Sequence, residues 1–218
     1  MIIIILIIII LIMYWSWYMV LNSPILPCVK IEDMVFKTGD IILFHAYNNM
    51  NSMFIGSYWG HIGIVYVDPK TPDTPYIFEA ARTSKMKNCP DYNKHGIMIT
   101  KIKTRIKKYP GLIACKSLNS PVDKNNNIGF KEFIIYAKNH MYYNENIFMS
   151  GIQKKMGAAF TNGTNCGELV FMSLIKLGLL PESMFTEKIL HHLFYTANLT
   201  NVENNFYHDP VEITISPF

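Results

Sequence analysis

No charged side chain precedes Lys30. There is also no basic stretch within the apolar run Met1–Leu21 and no small-residue cleavage site after it, which argues against a cleaved signal peptide and for a retained segment. Cysteine is scarce, with four in 218 residues (Cys28, Cys89, Cys115 and Cys166), and that number does not suggest a disulfide framework. A Cys89–Cys115 bridge is the one pairing to consider, and free thiols are expected. No Cys, His and carboxylate set has metal-ligand spacing. His191 and His192 are adjacent and point to different sides of a helix, so no metal or other cofactor is expected. The net charge is a modest +4, and its one basic run, KIKTRIKK at Lys101–Lys108, has no aromatic interleaving. Nucleic-acid binding is therefore not expected. Internal repeats are also missing.

What is present starts with the apolar run itself. As a helix, residues 1–21 would rise about 31 Å, enough for a hydrocarbon core of about 30 Å. Tyr14, Trp15, Trp17 and Tyr18 gather where aromatic rings favour a membrane interface. The expectation is a transmembrane anchor over 1–21, a proline-marked linker over 22–30 and one domain over 31–218. That implies a single-pass membrane protein with the membrane as its first partner, a host-cell or virion membrane being one setting. Lys30 and Lys37 after the run bias the domain toward the cytoplasmic side. A glycan on the sequon at Asn162 would crowd Cys166, and a second sequon stands at Asn198.

Within the domain, Ile41–Phe44, His61–Val67, Tyr76–Ala80, Gly96–Ile106 and Leu112–Lys116 read as strands. Ala46–Ser57 reads as a loop or weak helix. Phe130–His140 and a segment from Asn165 to Leu177-Gly178 read as helices, and the stretch after Pro181 as another short one. Alternation of Lys101, Lys103, Arg105 and Lys107 with Ile102, Thr104 and Ile106 predicts a charged edge strand. The alternative for that run is contact with anionic lipid head groups beside the anchor.

Chemistry concentrates in TNCGELVF. Asn165 is a good N-cap, Glu168 can reach back as in a capping box, and Cys166 then falls in the first helical turn. The positive end of the helix favours thiolate there, the nucleophilic form. A cysteine nucleophile needs a base, and His61 in GHIGIVYV is the candidate. If the His61 and Glu79 strands form a hairpin, odd-numbered residues share a face, and Glu79 can orient the imidazole. A helix laid across that face would complete the set. An unpartnered carboxylate in an apolar strand is costly, so Glu79 needs such a partner. Tyr58 and Asn165 are candidates for an additional oxyanion donor.

Four blocks, GDIILF at Gly39–Phe44, GHIGIV at Gly60–Val65, FEA at Phe78–Ala80 and NCGELV at Asn165–Val170, together resemble the permuted papain-like superfamily. It contains the NlpC-type cysteine peptidases, and its permuted branch contains YiiX-like amidases and lecithin retinol acyltransferase-like enzymes. The histidine strand precedes the cysteine helix in that branch, as here. The resemblance implies an α+β domain whose antiparallel sheet packs against the cysteine helix, with Cys166 as nucleophile, His61 as base and Glu79 as the third polar residue. Asn165 before the cysteine suits the acyltransferase-like branch, whereas Glu79 stands where that branch has a histidine. The expected activity is that of a membrane-anchored cysteine hydrolase, a thiol protease or amidase, acting on a peptide or other amide. The alternatives are a lipid acyltransferase or phospholipase on an acyl lipid, or an inactive structural protein of a virus particle. Oligomeric state is not legible.

Overall fold

The computed structural model describes residues 2–21, 25–45, 58–81, 96–143, 163–181 and 207–215. In chain order these form α1 (Ile2–Leu21), β1 (Cys28–Lys30), a 3-10 turn (Ile31–Asp33), β2 (Ile41–His45), β3 (His61–Val67), β4 (Pro75–Ala80) and β5 (Ile97–Lys101). Then come α2 (Ile102–Lys107), β6 (Leu112–Lys116), α3 (Lys124–His140), β7 (Tyr142–Tyr143), β8 (Gly163–Thr164), α4 (Cys166–Lys176) and β9 (Val211–Thr214). The result is a mixed α+β fold, with a seven-stranded sheet in the order β1-β9-β6-β2-β3-β4-β5 and a separate β7-β8 pair.

The central strands β2 and β3 are apolar on both faces because both faces are covered. Ile41 to Phe44 and Ile62, Ile64 and Val65 are fully buried. On one face α3 and α4 pack over Ile62, Ile64 and Phe78. On the other, Ile102 and Ile106 of α2 pack over Phe44, Val65 and Ile77. Each face follows from strand alternation. The turn into β2 is held by Asp40, whose carboxylate accepts the backbone N–H groups of Lys37 at 2.8 Å and Leu118 at 2.7 Å. Gly39 precedes it at φ +96, a left-handed conformation that a Cβ would strain. That turn also ties β2 to β3, because Val65 N–H donates to the Asp40 carbonyl at 2.7 Å.

Three expectations are corrected here. The sheet is mixed rather than antiparallel, because β1 pairs with β9 in parallel and so begins at Cys28, inside the stretch read as linker. The basic run is a helix rather than a strand from Ile102 onward: Ile102, Arg105 and Ile106 are buried at i, i+3 and i+4, while Lys103 and Lys107 are exposed. The third correction is the anchor. Ile2–Leu21 is helical, but among the described residues no helix is long and apolar enough to cross a membrane. The transmembrane helix, the membrane as partner and the single-pass location are accordingly withdrawn. Cys89, both sequon asparagines, the segment 46–57, and His191-His192 with the helix expected around them lie outside the described residues.

Candidate functional site

His61 opens β3 and Glu79 sits near the end of β4. The two strands are antiparallel with Ile64 opposite Phe78 and Val65 opposite Ile77. Continued by two residues, this register sets Gly63 against Glu79 and leaves His61 one same-face step away, a diagonal neighbour. The imidazole Nε2 lies 2.6 Å from Glu79 Oε2. Gly63 faces Glu79 across the pair, and a Cβ there would stand 2.7 Å from Ile77 Cδ1 and 3.3 Å from the Glu79 Cβ. Gly63→Ala is expected to destabilise the fold by about 1–3 kcal/mol through overpacking and to slow any chemistry that needs the His61–Glu79 contact. Urea unfolding checks the first effect, and a variant as stable as wild type would contradict it.

Cys166 is the first residue of α4. The helix starts there because Asn165 caps it: its side chain accepts the Glu168 N–H at 3.0 Å, and Glu168 Oε2 accepts the Asn165 N–H at 3.4 Å. Both residues therefore serve as the reciprocal cap expected of them. The thiol is nearly buried and is a hydrogen-bond partner of His61. The route to this meeting differs from the one expected. Helix α4 covers the even-numbered face of β3, with Ile62 and Ile64, whereas His61 and Glu79 belong to the opposite face with Val65 and Ile77. His61 is the first residue of its strand, so the groups meet at the strand end.

Arg105, which the sequence reading placed on a solvated edge, is the fourth member. Its Nε donates to Glu79 Oε1 at 2.6 Å and its Nη2 to Oε2 at 3.1 Å. The guanidinium also lies over the Phe44 ring at 4.5 Å and the Tyr109 ring at 5.3 Å. Its signal was the helical spacing with Ile102 and Ile106, masked by the period-two alternation of charges.

The electrostatics follow from these contacts. Burial alone would raise the Glu79 carboxyl, but the Arg105 charge and the His61 hydrogen bond outweigh it and hold it at about 2. Burial likewise would lower His61, but hydrogen bonds to Cys166 and Glu79, and then their charges, raise it to about 9. His61 is thus held as imidazolium at neutral pH, with a side chain 17% exposed beside a Glu79 that is 0% exposed. Cys115 is the contrast: desolvation pushes this free, buried thiol far above the usual range. Tyr58, a candidate oxyanion donor, stacks on His45 at 3.9 Å between ring centroids, and its carbonyl oxygen contacts His45 Nδ1. Among the described residues no three His, Cys, Asp or Glu side chains are grouped to hold a metal ion.

No family model matches the chain, and no curated protein does. Among solved structures it is similar to the crystal structure of the metalloprotein YiiX from Escherichia coli O157:H7, at 17% identity and a TM-score of 0.46, over 82% of this chain and 89% of that one. The permuted papain-like and acyltransferase-like resemblances rest on the four short sequence blocks. None of these comparisons supports the thiol-protease or virus-protein expectations, and both are withdrawn.

Proposed function

We propose that the chain is a cysteine hydrolase of the amidase type, working through an acyl-enzyme on Cys166, with residues 31–218 as the catalytic domain. The observation that carries this reading is a single imidazole, His61, hydrogen-bonded both to the Cys166 thiol and to the Glu79 carboxylate. Nucleophile, base and orienter are the three parts such chemistry requires. With Nε2 committed to Glu79, Nδ1 is the nitrogen that takes the thiol proton. At neutral pH the raised His61 and the helix N-terminus favour a thiolate–imidazolium pair.

The Cys166 sulfur attacks the amide carbonyl, and a C–S bond forms as the carbonyl π electrons move to oxygen. The positive end of α4 faces that oxyanion. Collapse breaks the C–N bond, and the proton held on His61 leaves with the amine. Water then attacks the thioester while His61 takes one of its protons. The acid departs, and the thiolate–imidazolium pair returns. Glu79 stays ionised throughout and holds the ring in place.

An acyl adduct tests this directly. Incubating the full-length protein with p-nitrophenyl acetate is expected to leave an acetyl mass on the peptide that contains Cys166, and His61→Gln is expected to remove it. Acetylation confined to the exposed Cys28, or none at all in folded protein, would contradict the reading.

A further inference from the structure

The mechanism above requires His61 to carry its proton on Nε2 when neutral, and the choice is not automatic. A neutral imidazole has one N–H, and the partner of one nitrogen decides which nitrogen bears it. A carboxylate can only accept, so it makes Nε2 the donor and leaves the lone pair on Nδ1. A protonated carboxylic acid would reverse the roles. It would donate to Nε2, the ring proton would sit on Nδ1, and the Cys166 proton would have nowhere to go. Glu79 is fully buried, the condition under which a carboxyl tends to take up a proton.

We propose that Arg105 is a positioning residue of this site: by gripping both oxygens of Glu79 it keeps that side chain an acceptor, which makes His61 Nε2 a donor and leaves Nδ1 open to Cys166. This rests on the acyl-transfer reading above. The geometry is suited to the task. Two donors of one planar guanidinium meet the two carboxylate oxygens at 2.6 and 3.1 Å, a fork that an ammonium cannot reproduce. Arg105 is itself buried, its guanidinium over the ring of Phe44 from the sheet and that of Tyr109 from the turn after its own helix. Among the described residues the charged and titratable groups around Glu79 are His61 from β3, Arg105 from α2 and Tyr109 from the turn after α2, with Cys166 bonded to His61. When Cys166 is thiolate these comprise two cations and two anions. Removing the guanidinium leaves the cluster with an excess negative charge, which draws a proton onto Glu79 or Cys166.

The test follows iodoacetamide alkylation of Cys166 across pH, read by mass spectrometry on its own peptide in the full-length protein, together with the tautomer of His61. The tautomer is read from 15N imidazole shifts in histidine-labelled protein above the His61 titration, with His61→Gln for assignment. Wild type is expected to show Nε2–H. Arg105→Met is expected to show Nδ1–H in a substantial fraction and to alkylate at least about tenfold more slowly at about pH 6, one unit of displacement in the thiol titration. Arg105→Lys, which keeps the charge but not the fork, is expected to fall between wild type and Arg105→Met. A merely structural arginine would move stability without moving tautomer or pH profile. Nδ1–H in the wild type overturns the proposal with no variant needed, so it stays decidable if Arg105→Met does not fold. Activated wild-type Cys166 with an Arg105→Met profile equal to it overturns the role of Arg105 alone. A wild-type Cys166 that alkylates like an ordinary thiol overturns the acyl-transfer reading itself.

Discussion

Cys166→Ala is expected to abolish turnover, by about 10⁴-fold or more, the scale on which removing a nucleophile acts when base and orienter depend on it. The fold should survive. Cys166 begins α4, but the cap belongs to Asn165 and Glu168, and the substitution removes one sulfur from a nearly buried position, at a cost of about 1 kcal/mol. The effect should reach His61 as well. Hydrogen bonding and charge from Cys166 are part of what lifts the imidazole to about 9, so its titration should move down in the variant. Amide or ester turnover alongside urea unfolding checks the claim. Activity retained in a folded Cys166→Ala protein would remove the thiol from the mechanism.

Glu79→Ala is expected to cost about 3–5 kcal/mol of folding stability at about pH 6, because it strands the Arg105 guanidinium in the interior and leaves His61 without its acceptor. The dependence on pH has a definite sign. Glu79 is lowered from 4.5 to about 2, so its contribution is present above about 4.5 and is lost as pH falls through about 2. His61 is raised from 6.5 to about 9, so its contribution is complete below about 6.5 and is lost as pH rises through about 9. The gap between wild type and Glu79→Ala should therefore be widest between about pH 5 and 6.5 and narrow on both sides. Urea titrations at about pH 6 and pH 3 measure it, and a gap below about 1 kcal/mol at pH 6 would mean that the buried ion pair does not hold this site together.

The local signals in the chain were legible where local physics decides the outcome. The expected limits of His61–Val67 and Leu112–Lys116 match β3 and β6, and the Asn165–Glu168 cap sets the start of α4 as expected. The start of α3 was read late: Asp123 caps it by accepting the Asn125 N–H, but Lys124 to Asn127 carry no apolar period to announce a helix. The β1–β9 pair joins Cys28 to Glu212, a contact no window of neighbouring residues can suggest. Arg105 was missed for another reason. In KIKTRIKK the charges alternate with period two while the buried positions follow the helix, and only packing on Phe44 and Val65 decides between the two periods. The parity argument joined His61 to Glu79 but put the cysteine helix on the wrong face, since strand alternation says nothing of how groups meet at a strand end.

The most direct measurement is the pH dependence of Cys166 alkylation in the full-length protein, wild type against His61→Ala. The account predicts a wild-type midpoint well below the ordinary thiol value of about 8.5, with the depression largely removed when His61 is lost. A wild-type Cys166 that titrates near the ordinary value and is indifferent to His61 would contradict the acyl-transfer reading at its centre.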